Sequence, residues 1–342
     1  MHRRNGRSLD EKSRITLADV ASVAGVSKMT VSRALRGATD VSKRNVEKVR
    51  QAAKDIGYVG NHLASSLSGQ RSDLIGVVVP SMANIVFAEV LAGIAEGIEG
   101  SGMQPVFGVT DYDLDKEYDI IRSMLSWNPA GLIVTGLDQS IDATRLLKNA
   151  NISVVQIMDV DGTPVDACVG FSHYSTGEAM ADALIAMGRR RIGYIGCDLS
   201  RDTRAKKRLE GFKRALSRIS LDLLVEEVHE GPSAIKAGRD LTALALAEKP
   251  DLDGIYYSND DLAAGGAFHC IASGISVPDS VALAGFNGLD LVDSLPVEIM
   301  TSRTPRRKIG KTAVEYIVST KKKKEKPEGR ITEYTPSIVL GA

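Results

Sequence analysis

From Leu74 to about Ser302 the sequence alternates short apolar runs with longer amphipathic segments, and few architectures accept that pattern. Strand-like runs fall at 74–79, 104–109, 131–135, 153–158, 167–171, 191–196, 224–228, 254–258, 281–285 and 299–302. Helix-like segments fall at 85–100, 115–127, 140–150, 173–187, 202–218, 233–248, 261–273 and 306–319. A run such as LIGVVV is apolar at every position, which is how a strand buried on both faces reads. Strands and helices in strict alternation give parallel sheets with helices on both faces. Roughly 265 residues of this pattern exceed one small doubly wound sheet, so two similar lobes with a cleft between them are expected.

The first 75 residues are of another kind. They hold 14 Lys/Arg and 7 Asp/Glu, a net charge of +7, while the whole chain is neutral. The remainder is therefore at −7. A basic head on an acidic body fits a nucleic-acid-binding module joined to something else. Within the head, Thr16 reads as the N-cap of a short helix with Leu17, Val20 and Val23 on one face. Gly25 can take the left-handed conformation that stops it. Ser27 caps a second helix with Val31 and Leu35 inward, and a third helix over 42–56 brings Val46, Val49, Ala53 and Ile56 beneath. Two short helices joined by a Gly-containing turn make a helix-turn-helix.

In that arrangement Lys28, Met29 and Arg33 lie on the outward face of the second helix. A major groove would receive them there: Arg33 as a bidentate fork to guanine, Lys28 and Met29 on neighbouring base edges. Thr16, Ser27, Thr30 and Ser32 would hold phosphates and set register. The competing reading of the head is a three-helix bundle used for protein contacts.

Other classes find little support. No phosphate loop, GxSxG elbow or HExxH spacing occurs, and His2, His62, His173, His229 and His269 lack metal-ligand spacing, so neither catalytic residue, cofactor nor metal is expected. His269, beside Cys270 on an apolar helix face, is expected to fill core. Cys168, Cys197 and Cys270 are far apart and odd in number, which points to free thiols in a reducing compartment. The charged start MHRRNGRSLDEKSR lacks an apolar leader core, and no run of 18 apolar residues exists; a cytoplasmic chain without a membrane span is expected.

The segments TLADVASVAGVSKMTVSRAL and VSKRNVEKVRQAAKDIGYVGNHLASSLSG resemble the head of the lactose-repressor (LacI/GalR) family of bacterial transcription regulators. The resemblance implies a basic disordered arm over 1–13, a helix-turn-helix domain over 14–60, a hinge helix and linker over 61–72, and a two-lobed effector-binding and dimerisation body over 73–342. It implies a hinge helix, matching 61–69, that forms when two subunits meet on operator DNA, with Asn61 on the DNA and Leu67 as a minor-groove wedge. The composition agrees: NHLASSLSG is too short to be helical alone, and it offers a large apolar side chain for insertion.

IGVVVPSMANIVFAEVLAGIAEGIEGSG, AGLIVTG, RLEGFKRAL, IYYSNDDLAAGGAF and VPDSVALAGFNG match further blocks of the family, so the resemblance is nearly full-length. It implies a periplasmic-binding-protein-like body with parallel sheets and a small-molecule effector in its cleft. Block by block, Phe87, Thr135, Asp159, Phe171, Arg208, Asn259, Asp260, Asn287 and Arg306 would line that cleft. Members that take neutral sugars usually carry aspartate where this chain has Asn287. Losing that charge while keeping Arg208 and adding Arg306 favours an anion. Several stretches, among them SMLSWNPAGLIVT and VVQIMD, look most like the gluconate-utilisation repressors. A homodimeric regulator is expected, with two heads on double-stranded palindromic operator DNA, released by a gluconate-type sugar acid. A two-lobed solute-binding protein, a same-family regulator of a neutral sugar, and activation instead of repression remain as alternatives.

Overall fold

The computed structural model describes residues 15–35, 38, 40–58, 72–323 and 329–340. The arm over 1–13, the hinge over 61–69 and with them Asn61 and Leu67 lie outside the described residues. The chain divides at Gln70–Arg71 into two units.

The first unit is helical: α1 (Leu17–Ala24), α2 (Lys28–Leu35) and α3 (Lys43–Asp55). Thr16 closes a capping box, its backbone N–H and hydroxyl donating to Asp19 Oδ2 at 2.7 and 2.8 Å. Gly25 ends α1 at φ 67°, and Ser27 accepts from Thr30 N at 3.1 Å to start α2. The core is Val20, Ala21, Val31, Ala34, Val49, Ala52 and Ala53. Two expectations are corrected: Val23 is 57% exposed and Leu35 38%. On helices of eight residues the stripe pointing inward is narrow, and the small Ala21 and Ala34 occupy it, letting the helices approach closely.

The body has two six-stranded sheets. The first lobe holds β1 (Leu74–Val79), β2 (Gln104–Val109), β3 (Gly131–Thr135), β4 (Ser153–Ile157), β5 (Ala167–Gly170) and β11 (Arg330–Glu333) in the order 11-5-4-3-1-2, all parallel. The second holds β6 (Ile192–Cys197), β7 (Val225–His229), β8 (Gly254–Tyr257), β9 (Ala282–Ala284), β10 (Ile299–Arg303) and β12 (Ser337–Leu340) in the order 12-10-9-8-6-7. Only β12 runs antiparallel, against β10. In β1, Ile75, Val77 and Val79 enter one core and Val78 the core of the opposite face, as a sheet covered on both sides requires.

Helices α4 (Ile85–Ile98), α5 (Leu114–Ser126), α6 (Ile141–Asn149) and α12 (Arg306–Lys323) cover the first sheet. Helices α7 (His173–Ala186), α8 (Thr203–Ser217), α9 (Ile235–Glu248) and α10 (Asp260–Ala272) cover the second, with the short α11 (Asp290–Asp293) beside α10. The expected strands and helices all appear, with ends that coincide or shift by at most four residues. His269 is half-exposed rather than core, whereas Cys270 beside it is buried. The three cysteines are free, Cys197 only partly buried.

Three helix pairs cross on reciprocal glycines. A Cβ on Gly93 of α4 would lie 2.0 Å from Arg307 O of α12, and one on Gly310 of α12 2.1 Å from Val90 O. Gly177 of α7 would meet Arg208 O at 2.0 Å, and Gly211 of α8 would meet Tyr174 O at 2.1 Å. Gly238 of α9 and Gly265 of α10 stand in the same relation to Leu262 O and Ile235 O, each at 2.1 Å. A helical glycine costs about 0.5–1 kcal/mol relative to alanine; close backbone approach is what that cost secures here. Gly211→Ala should therefore destabilise the body by about 1–3 kcal/mol, the range for overpacking a tight contact. Denaturant unfolding of both proteins checks it, and an unchanged midpoint would show that α7 and α8 part without strain.

Candidate functional site

The head presents its reading face on α2. Lys28, Met29 and Arg33 are exposed, Met29 at 68%, while Thr30 and Ser32 are half-buried. The hydroxyls of Thr16, Ser27 and Thr30 already serve the helix starts, Ser27 and Thr30 lying 2.9 Å apart. Arg33 forms an ion pair with Asp40. That pair is half-exposed and screened by water, so it can be exchanged for another acceptor at little cost.

In the body, α8 of the second lobe lies across the loops that follow β2, β3 and β4 of the first. Arg201, just before α8, donates to Asp111 O at 2.8 Å, and Thr203 donates to Asp138 Oδ2 at 2.5 Å. Lys207 bonds Asp159 Oδ2 at 2.5 Å and Asp161 O at 3.2 Å. These loops stand at the carboxyl ends of parallel strands, where open α/β folds place their ligands. Asp159 is fully buried, and burial raises its pKa even though Lys207 favours the charged form.

Arg208, also on α8, faces inward. It bonds His173 Nδ1 at 3.0 Å and Ser258 O at 3.0 Å, and its guanidinium sits 3.8 Å from the Phe286 ring centre. His173 Nε2 lies 2.8 Å from Met158 O, so Nε2 carries the proton and Nδ1 accepts from Arg208. Burial, then the charge of Arg208, holds His173 neutral, with its pKa well below the usual value. Phe171 packs against His173 and Phe286 at 4.7 and 5.9 Å.

The remaining expected cleft residues are engaged in structure. Phe87 is buried in the first-lobe core. Thr135 donates to Val78 O at 3.0 Å while lining a cavity described below. Asn259 caps α10 through Leu262 N at 3.1 Å and accepts from Ser233 at 2.7 Å. Asp260 accepts from Thr301 Oγ1 at 2.7 Å and Leu289 N at 2.8 Å, and burial raises its pKa to about 6. Asn287 sits at φ 118°, its carbonyl receiving Arg306 Nη1. Arg306 is not a free charge for an anion, which corrects the expectation. Its Nε and Nη2 bond the Glu89 carboxylate at 2.9 and 2.8 Å, spending the fork within the protein.

A cavity opens where the lobes meet. It is walled by Val79, Thr110, Tyr112, Glu117, Thr135, Asp138, Arg201 and Arg204, among others. Arg204 has a side chain only 12% exposed; burial opposes its charge, the carboxylates of Asp202 and then Asp138 favour it, and Asp138 stands 3.9 Å away, beyond hydrogen-bond reach. Burial pushes Glu117 up to about 7, with the Asp138 charge adding to the shift and a Gln139 hydrogen bond and Arg204 opposing it. Arg204, Glu117 and Asp138 were not foreseen from the sequence. Arg204 had a signal: in TRAKKRL it stands three and four residues before Lys207 and Arg208, one helical face.

Residues 16–61 match the family described as "Bacterial regulatory proteins, lacI family", and residues 72–337 match "Periplasmic binding proteins and sugar binding domain of LacI family". The chain belongs to the LacI family. Among its relatives within that family are the HTH-type transcriptional regulator GntR of Pseudomonas aeruginosa, 38% identical over 92% of both chains, and GntR of Escherichia coli K12, 36% identical over 90% of this chain and 92% of the other. A solved LacI-family regulator from Silicibacter pomeroyi is 44% identical, covers 96% of this chain and 98% of its own, and superposes with a TM-score of 0.91. LacI-family chains of this kind are ligand-responsive, DNA-binding transcriptional regulators. Among the described residues no helix is long and apolar enough to cross a membrane, and no group of three or more His, Cys, Asp or Glu could hold a metal ion.

The Glu89–Arg306 pair ties α4 to the chain crossing that enters α12. Arg306→Met should lower body stability by about 1–2 kcal/mol. Hydrogen bonds to charged groups are worth roughly 1.5–3 kcal/mol, discounted because Glu89 is 44% exposed. A thermal unfolding series reads this, and Glu89→Gln should cost less than Arg306→Met.

Proposed function

We propose that this regulator represses sugar-acid catabolic genes and is released from its operator when a gluconate-type acid enters the cavity between the lobes. The observation that carries the reading is Arg204. It is a largely buried guanidinium on the cavity wall, and its contact with Asp138, at 3.9 Å, is too long for a hydrogen bond. A planar fork in that state suits a carboxylate. The relatives named GntR, and a further one named IdnR at 33% identity, support the same reading. Tyr112, Thr110 and Thr135 supply hydroxyls to the effector, and Asp159, Phe171, Arg208 and Asn287 shape the rest of the cleft.

On the DNA side Lys28, Met29 and Arg33 take base edges, with Arg33 leaving Asp40 for guanine. Thr16, Ser27, Thr30 and Ser32 take phosphates. The segment 61–69 acts as the hinge, with Leu67 in the minor groove, and two chains meet on a palindrome. Support for the hinge and the dimer comes from the family alone.

The test is binding to palindromic fragments from the chain's own genome. A dimer displacing about six counterions loses roughly a thousandfold in affinity between 50 and 200 mM salt; a salt-independent association would refute the DNA assignments. D-gluconate should release the complex, and Arg204→Gln should raise the concentration needed at least tenfold. Release by neutral sugars with no response to sugar acids would overturn the effector class.

A further inference from the structure

One buried acid in the cavity has a use still to be assigned. Glu117 lies in the first turn of α5, is 7% exposed, and lines the cavity beside Thr135, Asp138 and Arg204. Its Oε2 is buried and has no hydrogen-bond partner. Gln139 supplies a hydrogen bond to the carboxyl group. Gln139 is itself fixed, donating to Thr135 O at 3.0 Å and accepting from Gln156 Nε2 at 2.6 Å. An orphaned buried carboxyl oxygen costs stability unless something else satisfies it, and this one is held rigid at the wall of the cavity.

We propose that Glu117 binds the effector as a neutral carboxylic acid, donating the proton on Oε2 to an oxygen of the sugar acid held by Arg204, so that effector binding takes up one proton from solvent. This rests on the sugar-acid reading above and makes Glu117 a specificity-determining residue of that site. The cavity already contains the Asp138 carboxylate. An ionised Glu117 beside it and beside an incoming carboxylate would repel both, whereas the acid form offers a donor.

The surroundings agree. Asp138, in the loop after β3, raises the pKa of Glu117, and Arg204 on α8 lowers it. Asp113, Tyr112 and Arg201 line the same cavity. Strands β1 and β2, packed beneath α5, carry no charged side chain, and Asp142, Arg145 and Lys148 of the neighbouring α6 are exposed. On α5 itself, Lys116 pairs with Asp111 and Asp119 with Arg122 at the surface. Glu117 titrates at about 7, so both forms are present near neutral pH and an effector that selects the acid form shifts the balance.

Calorimetry of the full chain with D-gluconate tests this. Affinity should be about tenfold higher at pH 6 than at pH 8, the change in acid fraction for a group titrating near 7. The binding heat should differ between phosphate and Tris buffers by an amount that reports proton uptake. Asp260 titrates at about 6 and adds any slope of its own in both proteins, so Glu117→Gln is the deciding comparison: its amide keeps a donor, and the tenfold change centred near pH 7 and the proton uptake at pH 8 should disappear. Retention of the change near pH 7 or of the proton uptake at pH 8 in Glu117→Gln, or flat wild-type affinity with tight D-gluconate binding, overturns the proposal and leaves the sugar-acid reading standing. Binding of D-glucose without D-gluconate overturns the sugar-acid reading and this proposal together. Should Glu117→Gln fail to fold, the buffer dependence of the wild type alone decides, because no proton uptake is incompatible with the proposed step.

Discussion

The backbone contact between Gly177 of α7 and Gly211 of α8 sets the height at which α8 rides over the cleft. Each glycine leaves room for a carbonyl of the other helix, Arg208 O at 2.0 Å from a Cβ at 177 and Tyr174 O at 2.1 Å from one at 211. Helices with ordinary side chains at the crossing pack 8–10 Å apart; mutual glycines bring them closer. One carbonyl in this crossing belongs to Arg208, whose side chain reaches His173 on α7. The residues of α8 that touch the first lobe, Thr203, Arg204 and Lys207, lie within about two turns on the N-terminal side of Gly211. A shift of α8 by one side-chain radius would take Lys207 out of contact with Asp159 and Thr203 out of contact with Asp138. The same device recurs at α4/α12 and α9/α10, so each lobe holds its helices to the sheet through backbone approach.

The cleft built on this scaffold is charged but nearly self-neutralised. Lys207 answers Asp159 and Arg306 answers Glu89, while Arg208 bonds a neutral histidine and a carbonyl and keeps a buried Nε without a partner. Isolated buried charges are expensive, which explains why partners are found for them. Against that background Arg204, Arg208 and Glu117 stand out, the first with its ion-pair contact to Asp138 at 3.9 Å, the second with an unpartnered Nε, the third with an unsatisfied oxygen. Function concentrates where local satisfaction is incomplete.

Much of this was legible in the sequence, and the reasons are local. LIGVVV, GLIVT and SVVQI declare buried parallel strands because every position but Gln156 is apolar or small. Thr16 and Ser27 declare helix starts, because a hydroxyl followed by an apolar-periodic run has few other uses. What sequence could not show is who neutralises whom. Arg306 reads as a cleft cation until Glu89, 217 positions away, is seen to hold it. Arg208 reads as an anion fork until His173 and Phe286 are seen around it. In the head, Val23 and Leu35 look like core by type, but the close helix crossing prefers Ala21 and Ala34. Glu117 is invisible in a polar helix start, DLDKEYD, because burial by another lobe leaves no trace in its own neighbours.

The lobes communicate through few covalent links. The chain passes between them at 171–172, at 304–305 and at 334–336, beside β5, β10 and β11. At the second passage Arg306 binds Asn287 O, Thr304 and Glu89 together, so the second lobe's β9–β10 edge and the first lobe's α4 are joined through one guanidinium. The first passage is walled by Phe171, His173 and Phe286, which pack on one another across the junction. The contacts α8 makes with the first lobe are polar, and one of them adjoins this seam: Asp161, whose carbonyl accepts from Lys207, also accepts from His173 N. An effector can move such a hinge only by as much as its affinity differs between the two arrangements, typically about 1–3 kcal/mol. Lys207–Asp159 and Thr203–Asp138 are interactions of that size, and they are made by the same helix that presents Arg204. A ligand that engages Arg204 thus acts on a helix that already bonds the first lobe through Thr203 and Lys207.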